Sequence, residues 1–251
     1  MPVKQDKQVN LTKAVGMIRK ATEKVTFRPL IVCLPEFFNT PYKLEDLRKN
    51  AETIPSGETC RCLSSLAKEL GIYIFGGSIP ELDATQMYNT CTVWSPDGDL
   101  IGKYRKLHMS NEGGLKESEV FGPGQCLTTV TIGRAQIGIG ICYDIHFEEL
   151  WRLYRNLNCN LMIIPAAWPI GTGSRYAEVL QRARAVDTQS FVAMISPARD
   201  CESEYVTWGF SALIDPNGLA LCKATHEEEV VTAAIGMSIF RYSFWDLKQK
   251  C

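Results

Sequence analysis

Apolar and polar positions along the chain alternate between two periods, one near 3.6 residues and one of two. Residues 9–24, VNLTKAVGMIRKATEK, put Leu11, Ala14, Val15, Ile18 and Ala21 on one face, the spacing of an amphipathic helix. RPLIVCLPE (28–36) is an apolar run that ends on a carboxylate and predicts a buried strand. GETCRCLSSLAKEL (57–70) returns to helical spacing, and GIYIFGGSIP (71–80) to a strand. YNTCTVWS and LIGKYRK flank a Pro-Asp-Gly turn, the pattern of a β-hairpin. Ala135 to Cys142 predicts a strand feeding a helix from Phe147 to Arg155. NLMIIPAAW (160–168) is another buried strand, and Arg175 to Asp187 carries a helical face. SFVAMISPA, the two runs of WGFSALI-DPNG-LALCKA, and VVTAAI (230–235) predict four more strands.

This mixture of helices, buried strands and hairpins predicts one layered α/β domain over residues 1–251. No internal repeat, low-complexity tract or long linker divides it. The chain opens almost directly on a helix, so any strand preceding that helix is expected to be missing.

Composition narrows the class without naming it. Apolar residues are 45% and charged residues 22% of 251, an ordinary globular balance. A net charge of −1 argues against a nucleic-acid binder, which usually carries a basic excess. No apolar run approaches the roughly 18 residues of a membrane span, and the N-terminal MPVKQDKQVN is polar where a secretory signal would be apolar. The expectation is a cytoplasmic protein, with a mitochondrial pool left open. Ten cysteines are scattered along the chain with no CxxC pair, and only three histidines accompany them, which makes a zinc site improbable. Cys33, Cys91 and Cys142 lie in apolar, strand-like runs, where free cysteine ordinarily serves as a small hydrophobe.

Three polar residues nevertheless stand at the carboxyl ends of apolar strands, where α/β folds collect their chemistry. Glu36 closes LIVCLPE, Lys106 closes LIGKYRK, and Cys142 closes GIGIC. Each has a plain structural explanation: a capping or loop acid, one charge in a basic run, and core filler. Together they make a reactive set. A thiol is a weak nucleophile until ionised, and a nearby cation and a helix start both favour the thiolate. Glu36 can serve as general base, and Lys106 can stabilise the oxyanion formed when sulfur adds to a carbonyl or nitrile carbon.

LPEFFNTPY, KYRKLH and GIGICYDIHFEEL closely resemble the three signature segments of the nitrilase, or carbon–nitrogen hydrolase, superfamily. The resemblance continues through PAAWPIGTG, EVLQRARAVDTQ, SPARD and YVTWGFSALIDPNG, nearly the whole chain. It implies a four-layer α-β-β-α sandwich and a Glu36–Lys106–Cys142 triad, with no metal and no organic cofactor. The KES of GGLKESEVFGPG matches the family's second glutamate and assigns that role to Glu117. Within the superfamily, LPEFFNTPY, SPARD and YVTWG look most like the omega-amidases, which release ammonia from the terminal amide of α-ketoglutaramate and α-ketosuccinamate. The resemblance also implies a homodimer paired through helices near the nucleophile, with helix 147–155 facing the second subunit. Alternatives are another carbon–nitrogen hydrolase, such as a deaminated-glutathione amidase, a nitrilase or an N-carbamoyl amidase, or a catalytically weak dimeric interaction protein of this family.

Three departures from the omega-amidase pattern bear on the substrate. His146 stands where those enzymes read arginine in CYDxRF, exchanging a permanent two-pronged charge for a ring that is mostly neutral at neutral pH. The segment between Lys106 and Glu117 is condensed to HMSNEGGL, and Tyr176 replaces a histidine. Relatives also extend beyond both ends of this chain. Tyr42, Tyr143, His146 and Thr172 are the expected substrate-binding residues, Tyr143 through its backbone N–H.

Overall fold

The computed structural model describes residues 1–112 and 115–236. It contains two β-sheets packed face to face, with helices on the outer face of each. The first sheet has β1 (Ile31–Cys33), β2 (Tyr73–Phe75), β3 (Ile79–Asp83), β4 (Gln86–Trp94) and β5 (Leu100–Arg105). The long β4 organises it: its N-terminal half pairs with β3, its C-terminal half with β2, and β5 runs antiparallel along its other edge. β1 joins β2 in parallel. The second sheet runs in the order β11-β10-β9-β8-β7-β6. Its members are β6 (Thr129–Ile132), β7 (Ala135–Ile139), β8 (Leu161–Pro165), β9 (Phe191–Ile195), β10 (Ala212–Ile214) and β11 (Ala220–Lys223). β7, β8 and β9 are parallel, and hairpins flank them on both sides.

Burial explains the layers. Between the sheets, Cys91, Val93 and Tyr104 of the first join Val130, Ile137 and Ile139 of the second in one buried cluster. On the outer face of the first sheet, α1 (Lys7–Lys24) buries Leu11, Ala14 and Ile18, and α3 (Glu58–Leu70) buries Leu63, Leu66 and Ala67 against Ile74 and Trp94. The short α2 (Leu44–Lys49) lies between them in sequence. On the outer face of the second sheet, α4 (Glu148–Asn156) contributes Leu150, Trp151 and Tyr154, and α5 (Ile170–Thr188) contributes Ala177 and Ala185. This is the four-layer sandwich expected above, and its first element among the described residues is α1.

The alternating glycines of GIGIC now have a physical reason. A Cβ on Gly138 would lie 2.8 Å from the Tyr154 ring, and one on Gly140 would lie 2.5 Å from Trp151. Both aromatic side chains come from α4, so β7 is stripped of side chains where that helix lies on it.

Several expected boundaries shift. The strand expected over 28–36 is confined to Ile31–Cys33 between Pro29 and Pro35, since proline removes a ladder donor. The run 71–80 splits into β2 and β3 at Gly76-Gly77, where Gly77 takes a positive φ of 59°. Helix α5 starts at Ile170, five residues before the expected Arg175, despite two glycines in its first turn. Gly173 is needed there because a Cβ would meet Trp208 at 2.4 Å. α2 and β6 were not expected. VVTAAI forms no strand; Val230 to Gly236 run as irregular, largely exposed chain.

Candidate active site

Three strand ends converge between the two sheets. Glu36 lies just past β1, Lys106 immediately follows β5, and Cys142 follows β7 after Gly140 and Ile141. Sequence separation between them is large, but β1, β2, β4 and β5 are neighbours in one sheet and β7 lies in the facing one. Glu36, Lys106 and Glu117 are all almost fully buried, at 2%, 1% and 0% exposure.

Lys106 is the hub of charge. Its Nζ lies 3.1 Å from Glu36 Oε1 and 3.0 and 2.8 Å from the two oxygens of Glu117. The condensed loop therefore brings Glu117 onto Lys106. Glu117 sits on a one-turn 3-10 helix (Glu117–Glu119), and the Ser110 amide donates to its Oε2 at 2.7 Å while its own amide donates to Ser110 O at 2.9 Å. Burial pulls the Lys106 ammonium down, but Glu117 and Glu36 more than offset this and hold it well above the ordinary lysine range. It is a permanent cation, matched to an oxyanion.

Glu36 receives a second hydrogen bond, from Asn89 Nδ2 at 2.8 Å, and the Cys142 thiol lies beside it. Burial raises its pKa above 4.5, with Glu117 adding to the rise and Lys106 opposing it. A carboxyl raised in this way is better matched to general-base work near neutral pH than an ordinary glutamate. Burial also pushes the Cys142 thiol well above its ordinary range, and the charge of Glu36 reinforces this against the pull of Lys106. The expectation that a helix start keeps the sulfur ionised is therefore corrected. Cys142 opens a short 3-10 turn (Cys142–His146), α4 starts only at Glu148, and the resting group is a buried thiol beside Glu36.

Cys142 adopts a left-handed φ of 45°, a conformation costing a non-glycine residue about 1–3 kcal/mol. The surroundings hold it there. Buried Asp144, two residues on, accepts from the Ile141 amide at 2.9 Å, the Tyr104 hydroxyl at 2.7 Å, and the backbone N and ring Nδ1 of His108 at 2.9 and 2.8 Å. Tyr104 and His108 bracket Lys106, and Ile141 and Asp144 bracket Cys142. One carboxylate thus ties the lysine strand to the nucleophile turn.

A cleft opens at Cys142, walled by Tyr42, Tyr143, Trp168, Thr172 and Tyr205 and bordered by Lys106 and Glu112. Tyr42, Tyr143 and Thr172 therefore stand where the sequence places substrate. His146 packs its ring against those of Tyr143 and Trp168, at centroid distances of 4.7 and 5.2 Å, and burial lowers its pKa below 6.5. Tyr176 reaches the same group, 5.8 Å from the His146 ring. A larger cavity of about 240 Å³ lies away from the thiol, between α5 and strands β10 and β11. Among the described residues no cluster of His, Cys, Asp or Glu is arranged to hold a metal ion.

Sequence reasoning missed Asn89, Asp144, His108, Trp168 and Tyr205. Asn89 reads as one polar position in an alternating strand, and only the sheet order β1-β2-β4 sets it beside Glu36. Asp144 carried a signal, a polar residue two places after the nucleophile, but its partners come from a distant strand.

The carbon–nitrogen hydrolase family matches residues 1–241. The chain is 44% identical over 241 residues to the omega-amidase NIT2-B of Xenopus laevis, covering 94% of this chain and 85% of that protein. It is 44% identical over 236 residues to the Homo sapiens omega-amidase NIT2, covering 92% of this chain and 84% of that protein. Among solved structures it resembles Saccharomyces cerevisiae Nit3, a member of the nitrilase superfamily, with a TM-score of 0.83 and 36% identity over 91% of this chain and 84% of that one.

Proposed function

The chain belongs to the carbon–nitrogen hydrolase family and is a cysteine amidase, and we propose that its substrates are small keto-acid amides such as α-ketoglutaramate and α-ketosuccinamate, hydrolysed to keto-diacid and ammonia. The observation that carries the reading is the buried Glu36–Lys106–Glu117 ion cluster with the Cys142 thiol beside it at the foot of a cleft. Similarity to omega-amidases supports the choice of substrate.

The chemistry follows from the geometry. Glu36 takes the thiol proton as sulfur adds to the amide carbon, so the rise in sulfur pKa is overcome only when a carbon centre accepts the electron pair. The amide oxygen becomes an oxyanion facing Lys106, whose charge Glu117 holds in place, with the Tyr143 N–H as second donor. The intermediate collapses as Glu36 returns the proton to nitrogen, and ammonia leaves. Glu36 then takes a proton from water, hydroxide adds to the thioester carbon, and the returning proton restores the thiol.

The protein also acts as a homodimer in this reading. Leu153 and Leu157 on and beside α4, and Tyr176, Val179 and Val186 on α5, are large apolar groups left 41% to 63% exposed on adjoining helices, the kind of surface a second copy covers.

Ammonia release from α-ketoglutaramate, α-ketosuccinamate and glutamine, with Cys142→Ala as control, tests the proposal. Release from the keto-amides that vanishes in the variant supports it. Release only from other amides, or from none, overturns the substrate assignment. Turnover retained in Cys142→Ala overturns the mechanism.

A further inference from the structure

The hydrolytic cycle leaves one contact of its base unused. Asn89 is fully buried within β4, at 0% exposure, and is not among the described residues that line the cleft. Its Nδ2 donates to Glu36 Oε1 at 2.8 Å, and Lys106 Nζ reaches the same oxygen at 3.1 Å. Its backbone carbonyl accepts from the Lys106 amide at 2.9 Å, while the Lys106 carbonyl accepts from the Gly124 amide at 2.7 Å. One strand position therefore touches both the base and the cation that faces the oxyanion. The Asn89 side-chain oxygen is buried and has no hydrogen-bond partner among the described residues. An unmatched acceptor weakens a packed interior, so an apolar side chain of the same size would serve the core better. What asparagine adds is the NH₂ group directed at Glu36.

The Glu36 backbone is fixed from another side. Pro35 O accepts from the Ser78 amide at 3.2 Å, and Phe37, at a left-handed φ of 48°, donates its N–H to Ser78 Oγ at 3.2 Å. The backbone does not decide which carboxyl oxygen exchanges protons. Both nitrogen donors fall on Oε1. An oxygen that already accepts two such bonds is held as an acceptor, and a proton arriving at the carboxyl goes to the other oxygen. The ionisable groups that interact with this carboxyl are Lys106, Glu117, Cys142, Tyr42 and Tyr205. Burial does most to raise its pKa, and Lys106 and the Asn89 hydrogen bond oppose the rise.

We propose that Asn89 is a positioning residue of the reaction: with Lys106 it pins Oε1 of Glu36 and leaves Oε2 as the oxygen that exchanges every proton. Oε2 takes the thiol proton as the S–C bond forms and gives it to nitrogen as the C–N bond breaks. It then takes a proton from water as the O–C bond forms and returns it to sulfur as the S–C bond breaks. Asn89 itself touches no reacting atom and acts through Glu36. This rests on Glu36 as general base and not on the choice of amide.

The test is the acid limb of kcat/KM for ammonia release from α-ketoglutaramate in Asn89→Leu and Asn89→Asp. Leucine keeps the volume and removes the donor, so the limb moves to higher pH by about one unit and the plateau falls about tenfold. Aspartate keeps the shape and sets a second carboxyl against the first, so its limb moves further in the same direction. A purely structural role lowers the plateau and leaves the limb in place. A limb unmoved in both variants, or moved to lower pH, overturns the proposal, and Asn89→Asp decides it if the leucine variant does not fold. The pH dependence of Cys142 alkylation by iodoacetamide, read by mass spectrometry, supplies the same limb without any amide, and Glu36→Gln abolishes it. A limb that survives Glu36→Gln overturns both the base assignment and the proposal. A limb lost in Glu36→Gln but unmoved by the Asn89 variants overturns the proposal alone.

Discussion

Asp144→Asn examines the link between the lysine strand and the nucleophile turn. The carboxylate accepts four hydrogen bonds, two on each oxygen: His108 N and Nδ1 on Oδ1, Tyr104 Oη and Ile141 N on Oδ2. An asparagine keeps one acceptor oxygen and turns the other into an NH₂ group. The Tyr104 hydroxyl can reverse and accept, and so can a His108 ring nitrogen that carries no proton. A backbone N–H cannot. Whichever way the amide is turned, one backbone donor, His108 N or Ile141 N, faces another donor inside the protein. That orphan costs about 1–3 kcal/mol, and weakening of the bonds formerly made to a charge adds about 1 kcal/mol. A total near 3 kcal/mol lowers the melting temperature by about 6–12 °C for a chain of this length and leaves the protein folded at 25 °C. The Ile141 amide precedes the strained nucleophile, and displacement of a reacting group by 1 Å costs about a hundredfold, so kcat falls by about ten- to a hundredfold. Differential scanning calorimetry and ammonia-release kinetics on the same preparation read both quantities. A melting temperature within about 2 °C of wild type together with unchanged kcat would refute the reasoning.

Four further outcomes follow from the same geometry. Glu117→Gln removes the largest attraction holding Lys106 charged, and kcat/KM should fall by about a hundredfold or more in steady-state assays; wild-type kinetics would remove Glu117 from the mechanism. Because burial raises the Glu36 pKa above 4.5, the acid limb of kcat/KM should inflect above that value, and an inflection at or below it contradicts the assignment of Glu36 as base. The same shift means the folded protein holds this proton more tightly than the unfolded chain does. The contribution of Glu36 to stability is then full below 4.5 and lost as pH rises through its folded value, a slope that urea titrations of Glu36→Gln should lack. Gly140→Ala drives a methyl group to 2.5 Å from buried Trp151 and should destabilise the protein by about 1–3 kcal/mol in urea melts, whereas an unaltered midpoint would show that α4 has room to move.

What the sequence determined by itself is local and chemical. The periodicity of residues 9–24, the PDGD and DPNG turns, and the apolar runs ending in Glu36, Lys106 and Cys142 follow from short-range rules; the structure holds a helix over Lys7–Lys24, hairpins at both turns, and the three polar residues just past β1, β5 and β7. Glu117 was legible through a motif. The rest depended on contacts between segments far apart in the chain. Asn89 reaches Glu36 only because β4 is paired on both edges, and Asp144 binds Tyr104 and His108 only because β7 faces β5 across the core. Gly173 does not break α5 because Trp208 comes to occupy the space above it. VVTAAI has a strand's composition but takes up no strand pairing, which only the folded chain shows. The ionisation of Cys142 shows the limit most clearly. A cation and a turn beside a thiol argue for thiolate, but burial decides otherwise, and burial is a property of the packed molecule that no single segment encodes.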